Sequence, residues 1–470
     1  MHEPINIDAE GNIILKINWR VTLKVIIIIG LAIGSGLLPI PGLTTASRIC
    51  LMVFVGAAGF WITEAIPPFA TAIMVVVLSI YTLGIPGGPL DLSPSGLENS
   101  YQIFLNPIAS PVLVLFFGGF VLAVAATKHG LDVRMASTFI KPFGTHPKMV
   151  LLGVIAATAL FSMFMSNTAT TAMMIAILTP LFRHFEGRDP FRKAIVLAVP
   201  FAANIGGMGT IIGTPPNAVA ASVLMELGYR ISFLKWMVIA VPIVIIMLLI
   251  LWFMLLKIFK PREDHFEILF PESLTVTWDL VIVFCTFTIT VLLWLTEPLH
   301  KIPTAVVALL PVMIFTMFGI IDRHDLKKID WDVLVLVAGG LTLGVAMTRS
   351  GLSEVLVAEL SLLSLPPVML IIALMFITIL ISNFMSNTSA ANLLIPIAAS
   401  LAVISPKMGA VAVAFAASMA MSLPVSTPPN AIAFATQEIT TREMARYGTL
   451  MSVFAFIILL LALYPIRFIL

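Results

Sequence analysis

Two short stretches decide the fold: "MFMSNTATTAMM" at 163–174 and "NFMSNTSAANLL" at 383–394. The first lies in a run that carries no charge from Met149 to Phe182, where hydrocarbon would penalise unpaired polar groups. The two apolar runs, 149–182 and 360–406, exceed the roughly twenty residues that one crossing needs, and each holds its Ser-Asn-Thr triplet midway. Both therefore read as re-entrant hairpins that turn near mid-membrane. The second half-helix of such a hairpin begins with unpaired N–H groups. Ser, Asn and Thr side chains cap some of them. The remaining donors, with the positive end of the helix dipole, form an anion site. Two such tips entering from opposite sides suit a substrate with two anionic groups on a short carbon chain.

The composition agrees with a bilayer. The 470 residues are 60% hydrophobic and 11% charged, with mean hydropathy +1.09, whereas soluble domains carry about 25% charged residues. The expectation is an all-α polytopic membrane protein with no sizeable soluble domain, in contact with membrane lipid. Met1–Trp19 lacks the apolar core and small-residue cleavage site of a signal peptide, so the first span is expected to stay. The net charge of +2 gives no reason to expect a nucleic-acid partner. Cys50 and Cys285 lie in apolar runs and read as small hydrophobes. All seven histidines fall in or beside loops, which speaks against an intramembrane metal site or proton relay. The spans hold no nucleophile–base pair, so an enzyme is not expected.

Spans are expected at 22–40, 46–64, 68–85, 108–127, 194–223, 234–256, 278–296, 303–321, 331–348, 408–436 and 447–466, about 11 in all. With the N-terminus cytoplasmic and both hairpins re-entrant, 19 of the 26 Lys and Arg face the cytoplasm. Among them are Lys128, Arg192, Lys193, Lys328 and Arg446, while Arg230, Lys235, Lys301, Arg349 and Lys407 lie outside. That asymmetry follows the positive-inside rule. It implies a plasma (inner) membrane protein with an external C-terminus.

The chain also repeats. "WITEAIPPFATA" from Trp61 matches "WLTEPLHKIPTA" from Trp294 without a gap, "GGFVLAVAATKHGL" from Gly118 matches "GGLTLGVAMTRSGL" from Gly339, "SMFMSNT" from Ser162 matches "SNFMSNT" from Ser382, and "GTPPNAVA" from Gly213 matches "STPPNAIA" from Ser426. The separations, 233, 221, 220 and 213, fall in one order. Each copy holds five spans, so the copies run oppositely through the membrane, an inverted repeat suited to alternating access. The expected division is 1–45 as N-terminal segment and first span, 46–262 as first repeat and 263–470 as second.

The paired Thr-Pro-Pro-Asn elements, Thr214–Asn217 and Thr427–Asn430, break the fifth and tenth spans, because consecutive prolines cannot continue a helix. Freed carbonyls, hydroxyls and Asn oxygens are hard ligands suited to Na⁺. Alone, a Ser-Asn-Thr triplet is more often a helix–helix hydrogen-bonding patch and a proline more often a kink. Their ordered duplication favours a site. Gly118/Gly119 and Gly339/Gly340 read as close packing, and Glu64 and Glu297 as interfacial hydrogen-bonding groups.

At these residues the sequence resembles the divalent-anion/sodium symporter family, from about Trp61 to the C-terminus. The resemblance implies a homodimer whose protomers each combine a scaffold domain with an elevator-type transport domain. It also implies dicarboxylate held by Asn167, Thr168, Thr214, Asn387, Thr388, Thr427 and Pro428. One Na⁺ would be framed by Ser162, Ser166, Asn167 and Gly213, the other by Ser382, Ser386, Asn387 and Ser426. The chain departs from the family's pattern at Met421, Ala433 and Asn383, the last standing where many sodium-coupled members place an acid. The reading is a Na⁺-coupled symporter of C4-type dicarboxylates such as succinate, malate or fumarate. A sodium-independent exchanger with the same site is the nearest alternative, and an anion channel a more distant one.

Overall fold

The computed structural model describes residues 6–7, 13–14, 19–85, 101–182, 190–262, 265, 276–361, 365–401 and 406–469. Apart from a two-residue ladder pairing Asn6–Ile7 with Ile13–Ile14, its regular elements are helices. Seven are long and apolar enough to cross a membrane: Trp19–Gly36, Thr45–Thr63, Gln102–Lys128, Phe233–Ile258, Trp278–Leu295, Trp331–Arg349 and Thr441–Ile466. The expected span at 303–321 is instead two short helices, Thr304–Val307 and Leu309–Met317. Of the polar stretch at 86–106, read as loop, the described part is helical from Gln102 onward.

Both hairpins form where the triplets lie. Pro147–Ser162 is followed by Asn167–Phe182, and Pro367–Ser382 by Asn387–Leu401. At 1.5 Å per residue, a 16-residue helix is about 24 Å long, short of a hydrocarbon core of about 30 Å. The fifth and tenth segments break as the prolines require, into Phe191–Gly207 with Pro215–Glu226, and Pro406–Ser418 with Pro428–Ala435.

These elements pack in two groups. One holds the hairpins, both broken segments, and the helices at 233–258 and 441–469. The other holds the helices at 19–36, 45–63, 68–79, 111–128, 278–295, 304–317 and 331–349, and the two meet where 331–349 packs on 387–401 and 215–226. Equivalent pairs recur in the two halves of the chain. The helix at 191–207 packs on both arms of the first hairpin as that at 406–418 packs on both arms of the second, and 215–226 meets the second hairpin as 428–435 meets the first. Ten-residue helices at Leu131–Ile140 and Leu352–Ser361 stand 221 residues apart. Each follows a left-handed glycine, Gly130 (φ 67°) and Gly351 (φ 77°), a conformation that penalises a Cβ.

The glycine pairs are packing contacts. A Cβ on Gly118 would lie 2.2 Å from Ala308 O, one on Gly339 2.4 Å from Ala72 Cβ, and one on Gly340 2.1 Å from Asn392. The same geometry corrects the first sequence match. Trp61 Nε1 donates to Pro68 O and Trp294 Nε1 to Thr304 O, both at 3.1 Å. Helix starts, indole acceptors and packed alanines are thus 236 residues apart, not 233, because the turn Glu297–His300 adds three residues to the second copy.

At one end of the second group, Asp325 is 2% exposed and binds Lys128 Nζ at 2.5 Å and Lys328 Nζ at 2.8 Å. Removing this carboxylate leaves Lys128 with only the Ile320 carbonyl among the described residues. Asp325→Ala is expected to cost about 1–3 kcal/mol, the worth of charge-assisted hydrogen bonds, and to lower the thermal midpoint in detergent. Lys328→Met, whose side chain is 64% exposed, should leave that midpoint nearly unchanged, since its ammonium sits largely in water and the buried Asp325 keeps Lys128.

Candidate functional site

Each triplet serine caps its second half-helix. Ser166 Oγ accepts from Ala169 N at 3.3 Å and Ser386 Oγ from Ser389 N at 3.1 Å, as Ser at an N-cap does. The amides of Asn167, Thr168, Asn387 and Thr388 stand in the first helical turn, where no intrahelical acceptor exists. Both tips line one cavity of about 240 Å³, together with Gly213, Thr214 and Pro215 from the first proline turn and Ser426, Thr427, Pro428 and Pro429 from the second. The fold thus brings every expected substrate-contact position to a single enclosure large enough for a four-carbon diacid. Phe116 and Phe120 close one wall.

Ser162 and Ser382 lie behind the tips, outside that lining and fully buried. Ser162 Oγ donates to Ala203 O at 2.8 Å. The Asn167 amide is assigned with its nitrogen toward Ser162 Oγ (2.5 Å), Gly213 O (3.2 Å) and Ala203 O (3.3 Å). In the second half, Ser382 Oγ and Asn387 Oδ1 are buried without a hydrogen-bond partner among the described residues. These are neutral, hard oxygens, and two orphaned ones in one expected cation frame fit an alkali ion, whose ligation would satisfy them. In the first frame Ser162 Oγ and Gly213 O are already engaged by the Asn167 nitrogen, and Ser166 Oγ by Ala169 N.

Four asparagines that the sequence reading passed over or gave another role organise the site. Asn204 is 1% exposed and bridges the halves, lying 3.4 Å from the Asn167 amide and donating to Thr427 Oγ1 at 3.3 Å. Asn217 and Asn430, expected as oxygen ligands, instead use their nitrogens on the loop seven residues back, reaching Thr210 O at 2.7 Å and Leu423 O at 3.0 Å. Asn217 also reaches Gly207 O and Met208 O, so carbonyls expected to be bare are partly satisfied. Asn383 holds the second hairpin to its broken segment, with Oδ1 accepting from Ser422 N at 2.9 Å and Nδ2 donating to Ile379 O at 2.7 Å. Asp330 and Asp332 also line the cavity. Their place at the start of a span gave no sign of it.

Residues 58–403 and 291–470 match the citrate transporter family. The sodium-dependent dicarboxylate transporter SdcS of Staphylococcus saprophyticus is 31% identical over 454 residues, covering 88% of this chain and 85% of that protein. The protein of the same name from Staphylococcus aureus strain USA300 is 32% identical over 456 residues with the same coverage. Among solved structures, the YdaH transporter of Alcanivorax borkumensis aligns with a TM-score of 0.57 at 13% identity, over 84% of this chain and 98% of that one. MtrF of Neisseria gonorrhoeae aligns at 0.55 and 12%, over 84% and 94%. At such identities these two show the fold alone. Fold and matches together define a multi-pass membrane transporter, not an enzyme. The chain belongs to the citrate transporter family, among the divalent-anion/sodium symporters.

Proposed function

We propose that the chain is a Na⁺-coupled symporter of C4-type dicarboxylates such as succinate, malate and fumarate, working by elevator-type alternating access. The observation that carries this reading is the shared enclosure, in which two helix N-termini from equivalent hairpins face one 240 Å³ cavity. Each terminus offers N–H donors and a positive dipole end to one carboxylate. The names of the staphylococcal relatives support the substrate class and the coupling ion. The orphaned Ser382 Oγ and Asn387 Oδ1 support Na⁺ beside the substrate. Na⁺ entry also supplies the work, since moving one charge against 100 mV costs about 2.3 kcal/mol, and a dianion needs at least two Na⁺ to offset it.

The inverted repeat and its two domains belong to the same proposal, with the hairpin group as transport domain and the other group as scaffold. Two crevices support it. One, of about 250 Å³, places Ala123, Val124, Thr127 and Lys128 against Ser166 and Ala169 of the first tip. The other, of about 770 Å³, holds the equivalents 221 residues on, Gly344, Val345, Thr348 and Arg349, but against Pro396 and Ser400. Pro396 is ten residues beyond Ser386, the equivalent of Ser166, or about 15 Å along a helix. The first tip has reached its end of the scaffold and the second has not, which fits a state open to the Lys128/Lys328, cytoplasmic, side. A groove of about 580 Å³ on the scaffold, lined by Ile73, Phe117, Leu309 and Trp331, offers an apolar face to a second copy in the homodimer.

Uptake of labelled succinate into proteoliposomes tests the reading. Uptake should require an inward Na⁺ gradient, fall at least about tenfold when choline replaces Na⁺, and be competed by malate and fumarate. Equal uptake in choline that depends on internal dicarboxylate would make the chain an exchanger, and ohmic currents would make it a channel.

A further inference from the structure

Asp330 and Asp332 are the only charged residues among the described residues lining the cavity. An anion site therefore carries two negative charges in its wall. Neither side chain has an ion pair or hydrogen bond among the described residues. Asp330 occupies the N-cap position of helix Trp331–Arg349 without a capping hydrogen bond, so helix capping does not account for it. Both stand at the start of helix Trp331–Arg349, which packs on the 68–79 helix of the scaffold and, along its other face, on the second hairpin arm Asn387–Leu401. Their equivalents 221 residues earlier are Ala109 and Pro111, which are uncharged and line the opposite crevice. Asp330 itself also lines the crevice that holds Lys128 and Lys328, both tied to Asp325.

We infer that Asp330 and Asp332 weaken the hold of the site on a dianion in this one conformational state, and so bias release toward the Lys128/Lys328 side. The inference rests on the alternating-access reading above. The hairpin tips move past a scaffold that bears the two carboxylates at one end and an alanine and a proline at the other. Like charges facing one another are repulsive, more so in a partly desolvated cavity. Because the repulsion exists in one state only, the two faces of the membrane differ in affinity, and the loaded protein is shifted away from the repulsive state. Bound Na⁺ masks the carboxylates. Once Na⁺ leaves, the dianion faces them unshielded, so the two departures become linked.

The test is the KM for labelled succinate at each face, measured in right-side-out and inside-out vesicles of the wild type, Asp330→Asn/Asp332→Asn, and the single variant Asp332→Asn, whose exposed side chain makes misfolding no concern. The double variant should lower KM at the Lys128/Lys328 face about tenfold, a change of about 1.4 kcal/mol, and leave the other face within about twofold. Asp332→Asn alone should move the same face in the same direction, while Asp330→Glu/Asp332→Glu should keep the wild-type asymmetry. An equal change at both faces, or none, overturns this inference while leaving dicarboxylate transport standing. A wild type that carries no dicarboxylate overturns the parent reading and this one with it.

Discussion

Asn387→Ala is expected to cut Na⁺-driven dicarboxylate uptake at least about 100-fold, about 2.7 kcal/mol, while leaving the ligand-free protein nearly as stable as the wild type. The two halves of that expectation come from different observations. Asn387 sits at the start of a half-helix and in the lining of the cavity, where the proposed function gives it a place in the second cation frame. Its Oδ1 is buried and has no hydrogen-bond partner among the described residues. Truncating a group that the fold does not use breaks no internal hydrogen bond, so the stability change should stay within about 0.5 kcal/mol. What is lost is the stabilisation that bound ligand confers: wild type should gain thermal stability from Na⁺ plus succinate, and the variant should not. Asn167→Ala should abolish uptake as well, but at a cost to the fold, because the Asn167 amide is tied to Ser162, Ala203 and Gly213. Uptake within threefold of wild type in Asn387→Ala would remove the second tip from the site.

The contrast between these two asparagines marks how far the sequence could be read. The hairpins were legible because a polar triplet in an uncharged run of this length has few physical resolutions, and Ser166 and Ser386 cap as that logic requires. The proline turns were legible for the same reason, since consecutive prolines leave a helix no way to continue. The roles within the turns were not. Asn217 and Asn430 could have offered oxygens or nitrogens, and only the position of the loop seven residues back decides for nitrogen. Asn204 stands in an apolar helix with no motif around it, and its meaning depends on Thr427, 223 residues away. Asp330 and Asp332 drew no reading, because the Lys and Arg pattern reports which side of the membrane a segment faces, not whether a cavity reaches that side. The ungapped match between Trp61 and Trp294 hid three added residues, for chemical likeness at its two ends outweighed the shift between them. Patterning fixes which elements break and where. Long-range contacts decide what each broken end touches.

Gly213→Ala is expected to reduce uptake about 100-fold by a different route. A Cβ at Gly213 would lie 2.3 Å from Gly207 O and 3.0 Å from Gly207 C and Cα. Those are backbone atoms at the end of helix Phe191–Gly207, and no side-chain rotation relieves them. The loop must move outward, taking Gly213 O away from the Asn167 amide, 3.2 Å distant, and shifting Thr214 in the cavity wall. Overpacking of this kind costs about 1–3 kcal/mol of stability. Displacing site groups by about 1 Å can cost about 100-fold in rate. The two copies of the repeat make the test sharp. The residue equivalent to Gly213 is Ser426, which carries a side chain and uses it, with Oγ accepting from Leu423 N at 3.0 Å and reaching Asn383 O at 3.2 Å. Sequence equivalence alone would therefore predict that Gly213→Ser is harmless, whereas the close approach to Gly207 predicts that it fails like alanine. Gly119→Ala is the control, because its Cβ would stay at ordinary contact distance, 3.4 Å from Ile212 Cδ1 and 3.7 Å from Ile212 Cβ, and uptake should stay within about threefold. Half-saturation by Na⁺ should rise in Gly213→Ala wherever residual uptake can be followed, since the displaced carbonyl is one of those proposed to frame the first cation. An active Gly213→Ser variant would mean that the two halves of the site are interchangeable and that the tight contact of Gly207 with Gly213 does not set its geometry.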